Sequence, residues 1–208
     1  MAHRTHTTAV ALLTAAALLT GCTTTSTGQA TTTTEEQPTS GLPGSGGESS
    51  VPGAAELADR PQEIDLTGID PCTLNTEDGL LEQGIDREPR PNRSADPHEP
   101  TCSLDHSTGP PYYGIQVKLK PGEGAEVLLA PNLNLDTEII DIAGFPAVQN
   151  RRPTDMRGCF VDVSVAEGQT LSIQFDGGEE MGPPEYHCER ATAAATMATE
   201  TLVALHGN

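Results

Sequence analysis

Apolar and polar residues alternate along two consecutive stretches near the C-terminus, and this pattern limits the folds open to the chain. The apolar residues of one parity are Cys159, Val161, Val163 and Val165, followed by Leu171, Ile173 and Phe175. Alternation with a period of two predicts strands that bury one face. Because the turn-forming pair Glu167-Gly168 separates the stretches, we predict a β-hairpin and an antiparallel sheet.

The last segment repeats its apolar residues at helical spacing. This stripe consists of Cys188, Ala191, Ala195, Ala198, Leu202 and Leu205. Steps of three and four residues predict an amphipathic C-terminal helix, and alanine side chains allow it to lie close to a sheet. A short N-terminal helix is also predicted, because Asp70 and Thr76 are N-cap residues and Pro71 suits a first helical turn.

Other parts of the chain add strands to the predicted sheet. Residues 102–105, 113–119 and 139–142 have strand patterns, whereas residues 87–100 are Pro-rich and read as a loop. We therefore predict an α+β fold with an antiparallel sheet of about four to six strands. The C-terminal helix packs on one face of that sheet, and the short helix precedes it.

The predicted domain contains four cysteines, Cys72, Cys102, Cys159 and Cys188. Because Arg4 and the apolar residues 9–19 have the pattern of an export signal, an even number of cysteines predicts two disulfides. A zinc site is the alternative, but no Cys-x-x-Cys pair occurs. Of the possible pairings we prefer Cys72 with Cys102 and Cys159 with Cys188, because these close similar loops of about thirty residues.

The N-terminus has the pattern of an export signal. Arg4 precedes an apolar stretch over residues 9–19 that is too short to span a bilayer as a helix. The tetrapeptide Leu19-Thr20-Gly21-Cys22 resembles the lipobox of bacterial lipoproteins. This resemblance implies cleavage between Gly21 and Cys22 and lipidation of Cys22. An ordinary signal peptide followed by a chance cysteine is the alternative.

Composition divides the rest of the chain. We predict a lipoprotein signal peptide at residues 1–21, a disordered Thr/Ser/Gly/Pro-rich tether at residues 22–60 and one globular domain at residues 61–208. The tether has few apolar side chains to offset the entropy of ordering its backbone. The expected location is the extracytoplasmic face of the cell membrane, where the lipid anchor holds a monomer.

Acidic residues dominate the chain, with 30 Asp and Glu against 11 Lys and Arg and a formal net charge of −19. This balance argues against nucleic acid as a partner, because a phosphate backbone requires a basic footprint. The candidates for such a footprint are too few and too scattered in the sequence. They are Lys118, Lys120, Arg151, Arg152 and Arg157. An anionic membrane surface would also repel the domain, so the lipid alone is expected to hold it there.

Five segments occur in a fixed order behind the lipobox. They are Ile69-Asp70-Pro71-Cys72, the strand-opening Cys102, the Gly-aromatic-Pro-Ala corner at residues 144–147, Cys159 on a strand and Cys188-Glu189-Arg190-Ala191 at a helix start. Taken together, these segments resemble an actinobacterial lipoprotein family, domain of unknown function 3558. The resemblance covers nearly all of residues 64–205. It implies an envelope protein with a disulfide frame, and it implies no catalytic residue.

No signature of a known catalytic site occurs in the sequence, including Gly-x-Ser-x-Gly, His-Glu-x-x-His and phosphate-binding loops. His98, His106 and His187 lack a partner pattern, and we interpret them as surface histidines. Residues 176–180 combine carboxylates with glycines, but their spacing matches no calcium loop, so an acidic turn is the simpler interpretation. We expect no catalytic residue, no metal and no cofactor.

Aromatic residues are few, and Tyr112, Tyr113 and Phe145 could line a ligand groove between helix and sheet. Core packing is the interpretation that we prefer for them.

The role expected from these patterns is a non-enzymatic binding or accessory module whose partner is an envelope protein, a lipid or a glycan. A carrier of lipid or glycolipid and a cell-wall hydrolase are the alternatives. A deep apolar cavity would favour the carrier, and a solid core with an exposed patch would favour the binding module. A cleft with two carboxylates or a His-acid pair would favour the hydrolase.

Overall fold

The computed structural model describes residues 56–93 and 96–207. The predicted signal peptide at residues 1–21, the predicted cleavage and lipidation at Gly21 and Cys22, and most of the tether predicted at residues 22–60 lie outside this part of the chain. All of the described helices and strands fall within residues 61–208.

The strands form one antiparallel sheet. They are β1 (Arg90–Pro91), β2 (Thr101–His106), β3 (Tyr113–Lys120), β4 (Asp136–Ile142), β5 (Phe145–Arg151), β6 (Gly158–Ala166) and β7 (Gln169–Gly177). Their order across the sheet is β1-β2-β3-β7-β6-β5-β4, which confirms the α+β prediction. The number of strands is seven, slightly above the predicted range.

Two strands account for the difference from the sequence prediction. β1 is only two residues long and lies in the stretch that we interpreted as a loop. β5 begins at the segment that we interpreted as a corner, and both Ala147 and Val148 in it are fully buried. Because the 3-10 turn Ala125–Leu129 packs against the outer side of β5, this strand is buried on both faces and lacks alternation.

The predicted helix caps are present. Asp70 accepts a hydrogen bond from the Cys72 amide at 2.9 Å, at the start of the 3-10 turn Pro71–Thr73. Thr76 caps α1 (Glu77–Glu82) by accepting a hydrogen bond from the Gly79 amide at 3.0 Å. These side chains satisfy amide groups that have no partner within the helix.

The C-terminal helix α2 (Pro184–His206) packs on one face of the sheet through its alanines. Its buried stripe ends at Leu202, whereas Leu205 is 57% exposed, so the predicted stripe was one turn too long. The last turn of α2 extends past the edge of the core, so residues 204–206 are exposed. None of the described helices combines the length and the apolar composition needed to cross a membrane.

Both predicted disulfides are present in the structure. Cys72–Cys102 joins the first 3-10 turn to β2, and Cys159–Cys188 joins β6 to α2. Cys159 lies with the apolar residues between the sheet and α2, where it is fully buried. The second bridge therefore fixes the helix to the hairpin that organises the sheet.

The opposite side of the sheet carries polar side chains, and we call it the polar face. Its register places one residue from each of five strands in a row, in the order Ser103, Gln116, Gln174, Phe160 and Asn150. The neighbouring row holds Thr101, Lys118, Ser172 and Asp162. Since side chains of one parity share a face, these rows form one mainly polar layer, in which Thr101, Asn150, Asp162 and Ser172 are buried.

The chain enters the domain at the turn between β6 and β7. The Ile64 amide donates a hydrogen bond to the Val165 carbonyl at 2.8 Å. The Arg60 guanidinium donates one to the Ser164 hydroxyl at 3.0 Å. The N-terminal segment is thus attached to the end of β6 that lies farthest from Gly158.

Candidate functional site

The surface of the described domain includes three open grooves that are lined by charged residues. Two of them, of about 630 and 220 Å³, lie on the polar face. We call the larger one the arginine groove, lined by Arg87, Arg90 and Arg157, and the smaller one the mid-sheet groove, lined by Lys118, Lys120 and Arg152. The third, of about 650 Å³, lies between β4 and the start of α2.

Three separate parts of the chain supply the cations of the arginine groove. Arg87 comes from the loop before β1, Arg90 from β1 itself and Arg157 from the residue before β6. The strand register brings them together at one end of the sheet, where Gly158 pairs with Asp176 of β7. Of the five basic residues named from the sequence, this groove contains Arg157, and the fold places Arg87 and Arg90 beside it.

Partners within the arginine groove differ among its three arginines. Arg90 forms an ion pair with Asp105 at 2.8 Å. The Arg87 Nε atom donates a hydrogen bond to the Ser107 hydroxyl at 2.9 Å, which leaves the charge of Arg87 unneutralised. The Arg157 side chain forms no ion pair with any residue that the structure describes. Two guanidinium groups can therefore accept an external anion as a partner.

The wall of the arginine groove contains a histidine-carboxylate pair. The His106 Nδ1 atom lies 2.7 Å from the Gly84 carbonyl oxygen and 3.3 Å from Asp86 Oδ2. The His106 ring stacks on Tyr113 with 4.8 Å between ring centroids. The interpretation of His106 as a surface histidine without a partner was wrong, because its partner Asp86 lies twenty positions earlier in the chain.

The Asp86 carboxylate of this pair accepts hydrogen bonds from the loop between β2 and β3. Asp86 accepts hydrogen bonds from the Ser107 amide at 2.9 Å and the Thr108 amide at 2.8 Å. The Ser107 amide is the largest cause, followed by Thr108, of a fall in the Asp86 pKa from 3.8 to about 2. Asp86 consequently stays ionised at all physiological pH values and holds the loop that leads to Tyr112.

Tyr113 connects the arginine groove to the core beneath it. The Arg190 guanidinium lies 5.0 Å from the Tyr113 ring centroid, and its Nη2 atom donates a hydrogen bond to the Gln83 carbonyl at 2.6 Å. His187, which packs next to Phe175, is fully buried, so its interpretation as a surface histidine was also wrong. These contacts hold the floor of the groove rigidly against α2.

The mid-sheet groove has a more neutral lining. Lys118 pairs with Glu99 at 3.3 Å, and Lys120 pairs with Asp162 at 3.3 Å. Burial lowers the pKa of Lys120, but Asp162 and Glu123 raise it by more, so its pKa lies above the ordinary value. Arg152 is exposed and has no ion-pair partner among the described residues.

Taken together, the two grooves of the polar face hold six of the eleven lysines and arginines of the chain. The carboxylates that line them are fewer, namely Asp105, Asp162 and Asp176. Arg90, Lys118 and Lys120 are engaged in ion pairs with Asp105, Glu99 and Asp162. The arginines of this face that have no ion pair among the described residues are Arg87, Arg152 and Arg157, in a chain whose formal net charge is −19. Guanidinium groups without an internal partner, placed in concave surfaces, are suited to an anionic ligand.

Other residues singled out from the sequence have different surroundings. Phe145 is buried in the core as predicted, whereas Tyr112 is 58% exposed at the rim of the arginine groove. His98 is exposed, in agreement with its interpretation. Asp176 lies on β7, and Glu179 and Glu180 lie in the 3-10 turn that follows. No group of three or more potential metal ligands occurs within residues 56–93 and 96–207.

Comparison with known proteins identifies one family. A family model described as "Protein of unknown function (DUF3558)" matches residues 17–201 of the chain. No curated protein matches the chain, and no solved structure matches it.

Proposed function

The chain belongs to the DUF3558 family, and from its site we propose that it is a lipid-anchored, extracytoplasmic binding module whose polar face takes an anionic component of the cell envelope. The ligand class is a glycan that carries carboxylate or phosphate groups. The observation that carries this proposal is the set of three arginines without an ion pair among the described residues, Arg87, Arg152 and Arg157, in the grooves of the polar face of a strongly acidic chain. Electrostatic attraction would direct the ligand to this face and away from the rest of the surface.

Side chains of the polar face suit a sugar polymer. The exposed Tyr112 ring offers a flat apolar surface in the arginine groove, and Gln116 and Gln174 offer amide donors and acceptors in the mid-sheet groove. Arg87 and Arg157 supply forked guanidinium donors that match a carboxylate or a phosphate.

The position of the predicted anchor supports the same role. The chain enters the domain at the β6–β7 turn, whereas the arginine groove lies at the opposite end of β6. The two ends are about 26 Å apart, at about 3.3 Å per residue of an extended strand. A chain held by Cys22 would therefore attach at one end of the domain and bind its ligand at the other.

The lipid-carrier alternative receives less support from the geometry. The space between sheet and helix is filled by large, fully buried side chains, including Phe145, Phe175 and Leu104. A carrier needs an apolar cavity large enough to enclose an acyl chain. The grooves described above are open and are lined mostly by charged and polar side chains.

The hydrolase alternative rests on His106 and Asp86, which form the kind of pair that orients a general base. In this protein the Asp86 carboxylate accepts hydrogen bonds from two loop amides, and the Ser107 hydroxyl accepts one from Arg87. Both groups hold the wall of the groove in place. Asp105 and Asp176 also line this groove, and most glycosidases use a pair of carboxyl groups. The Asp105 carboxylate, however, is engaged in an ion pair with Arg90 at 2.8 Å, so the groove gives less support to hydrolysis than to binding of an anion by Arg87 and Arg157.

Binding measurements with charged and neutral glycans test this proposal. The full chain would be titrated with oligogalacturonate, with poly(glycerol phosphate) and with a neutral oligosaccharide of similar length. We expect binding to at least one of the two anionic polymers and none to the neutral one. Preference for the carboxylate or the phosphate polymer would identify the anionic group. Equal affinity for all three polymers would contradict the proposal.

Two single variants make the test specific for the groove. Arg157→Gln removes one exposed charge from the arginine groove, and Arg93→Gln removes one exposed charge outside both grooves. An exposed charge-assisted contact contributes about 1 kcal/mol, so we expect Arg157→Gln to weaken binding about fivefold. Arg93→Gln should leave the affinity unchanged. Equal losses in both variants would show a diffuse charge effect and would refute the assigned site.

A further inference from the structure

We propose that the free edge of β4 is a docking site for an extended, basic segment of a partner protein, which pairs with β4 as an additional strand. This surface is separate from the polar-face grooves, and the inference does not depend on the ligand proposed for them. Its basis is the contrast between the two edges of the sheet, together with the charges that surround β4.

The two edge strands differ in how well they are protected against pairing. β1, at one edge, is two residues long and contains Pro91, and both features block the addition of a strand. β4, at the other edge, is seven residues long and pairs with β5 in unbroken register. It contains no proline, glycine or lysine, and Ile139 in it is 43% exposed. None of the described strands pairs with the outer edge of β4, so within residues 56–93 and 96–207 this edge is open to a further strand.

The charges of β4 determine which strand can pair with it. Asp136, Glu138 and Asp141 are the charged residues of this strand, and all three are acidic. A second copy of the chain would bring the same three carboxylates and a formal net charge of −19 to the edge. Like charges on adjacent strands repel, and opposite charges attract. The edge consequently disfavours self-association and favours a basic partner.

An acidic trough next to β4 adds a second determinant. We give this name to the groove of about 650 Å³ whose carboxylates are Asp136, Glu138, Glu185 and Glu189. Arg151 neutralises Asp136 through an ion pair at 2.9 Å. The other three carboxylates have no ion pair with any of the described residues. They can therefore pair with cations from outside the chain.

The strand geometry relates the trough to the free edge. Asp136 and Glu138 share the parity of Ile142, which is buried on the helix side of the sheet. An added strand would point every second side chain towards that side and into the trough. Its remaining side chains would lie next to Thr137 and Ile139. The partner segment that fits has Lys or Arg at alternate positions and β-branched residues between them.

Synthetic peptides provide the probe for this site. The full chain would be titrated with a seven-residue peptide in which lysine and valine alternate, and backbone amide shifts would be followed by NMR. We expect saturable shifts concentrated in residues 136–142. A peptide in which glutamate replaces lysine, and a lysine peptide with a central proline, should each bind at least tenfold more weakly. Comparable affinity of the three peptides would overturn the proposal.

Matched charge reversals separate the trough from the general acidity of the chain. The pair Glu138→Lys and Glu189→Lys changes the trough, whereas Glu82→Lys and Glu200→Lys change two exposed carboxylates elsewhere by the same total charge. We expect the two substitutions in the trough to lower the affinity for the lysine peptide at least tenfold. The two control substitutions should change this affinity less than threefold. Equal losses, or sedimentation showing a dimer that uses β4 as its interface, would refute the proposal.

Discussion

Removal of the disulfide between Cys159 and Cys188 tests how the helix is held on the sheet. The bridge closes a loop with a sequence separation of 29 residues. The chain-entropy model gives about 3.6 kcal/mol for a loop of this size at 25 °C. Both cysteines are buried between β6 and α2, so replacing them with alanine also removes buried sulfur contacts worth roughly 1 kcal/mol. The double variant Cys159→Ala/Cys188→Ala should therefore lose about 4 to 5 kcal/mol.

Urea unfolding followed by circular dichroism measures this loss through linear extrapolation. The matched control is Cys72→Ala/Cys102→Ala, whose loop has a sequence separation of 30 residues and whose Cys72 is only half-buried. We expect the control to lose about 3.6 kcal/mol, because the entropic contribution is nearly the same. A loss below about 1 kcal/mol in either double variant would refute the reasoning that the bridges act by restricting the unfolded chain.

Three further predictions concern other parts of the chain. Asp86→Asn should lower stability at neutral pH. The pKa of Asp86 is about 2 in the folded protein and 3.8 ordinarily. The loss in free energy of unfolding relative to the wild type should therefore be complete above pH 3.8 and disappear as the pH falls through 2. Unfolding measured over a series of acidic pH values would show this dependence. Ala143 and Gly144 in the β4–β5 turn have φ values of 53° and 86°. Because Asn tolerates positive φ better than Ala, Ala143→Asn should raise the free energy of unfolding by about 0.5 to 1 kcal/mol, as measured by thermal unfolding. Cys22→Ser should move the protein from the membrane fraction to the medium, whereas Thr23→Ala should leave it on the membrane, as fractionation and immunoblotting would show.

Much of the fold could be predicted because its main elements carry local signals. The β6–β7 hairpin alternates strictly, since one of its faces packs on α2 and the other carries polar side chains. Asp70 and Thr76 cap their turns through contacts within three residues. Signals of this kind depend on neighbouring residues, so no knowledge of the tertiary structure is needed to recognise them.

The missed features depend on contacts between distant residues. β5 lacks alternation because the turn Ala125–Leu129 covers its outer side. Arg87 and Arg157 lie far apart in sequence, and only the register between β6 and β7 and between β2 and β3 brings them to one groove. The pairing of His106 with Asp86 likewise depends on how the loop after α1 packs against β2. None of these contacts leaves a periodic pattern in the sequence.

The central claim is that the polar face binds an anionic envelope glycan. Its most direct test is an NMR titration of the full chain with the anionic polymer that binds more tightly, in which amide shifts are mapped onto the two faces of the sheet. We expect the shifts to concentrate along Ser103, Gln116 and Gln174 and around Arg157, and to decrease as salt is added. Shifts confined to the α2 side of the sheet, or no saturable shifts at all, would contradict the claim.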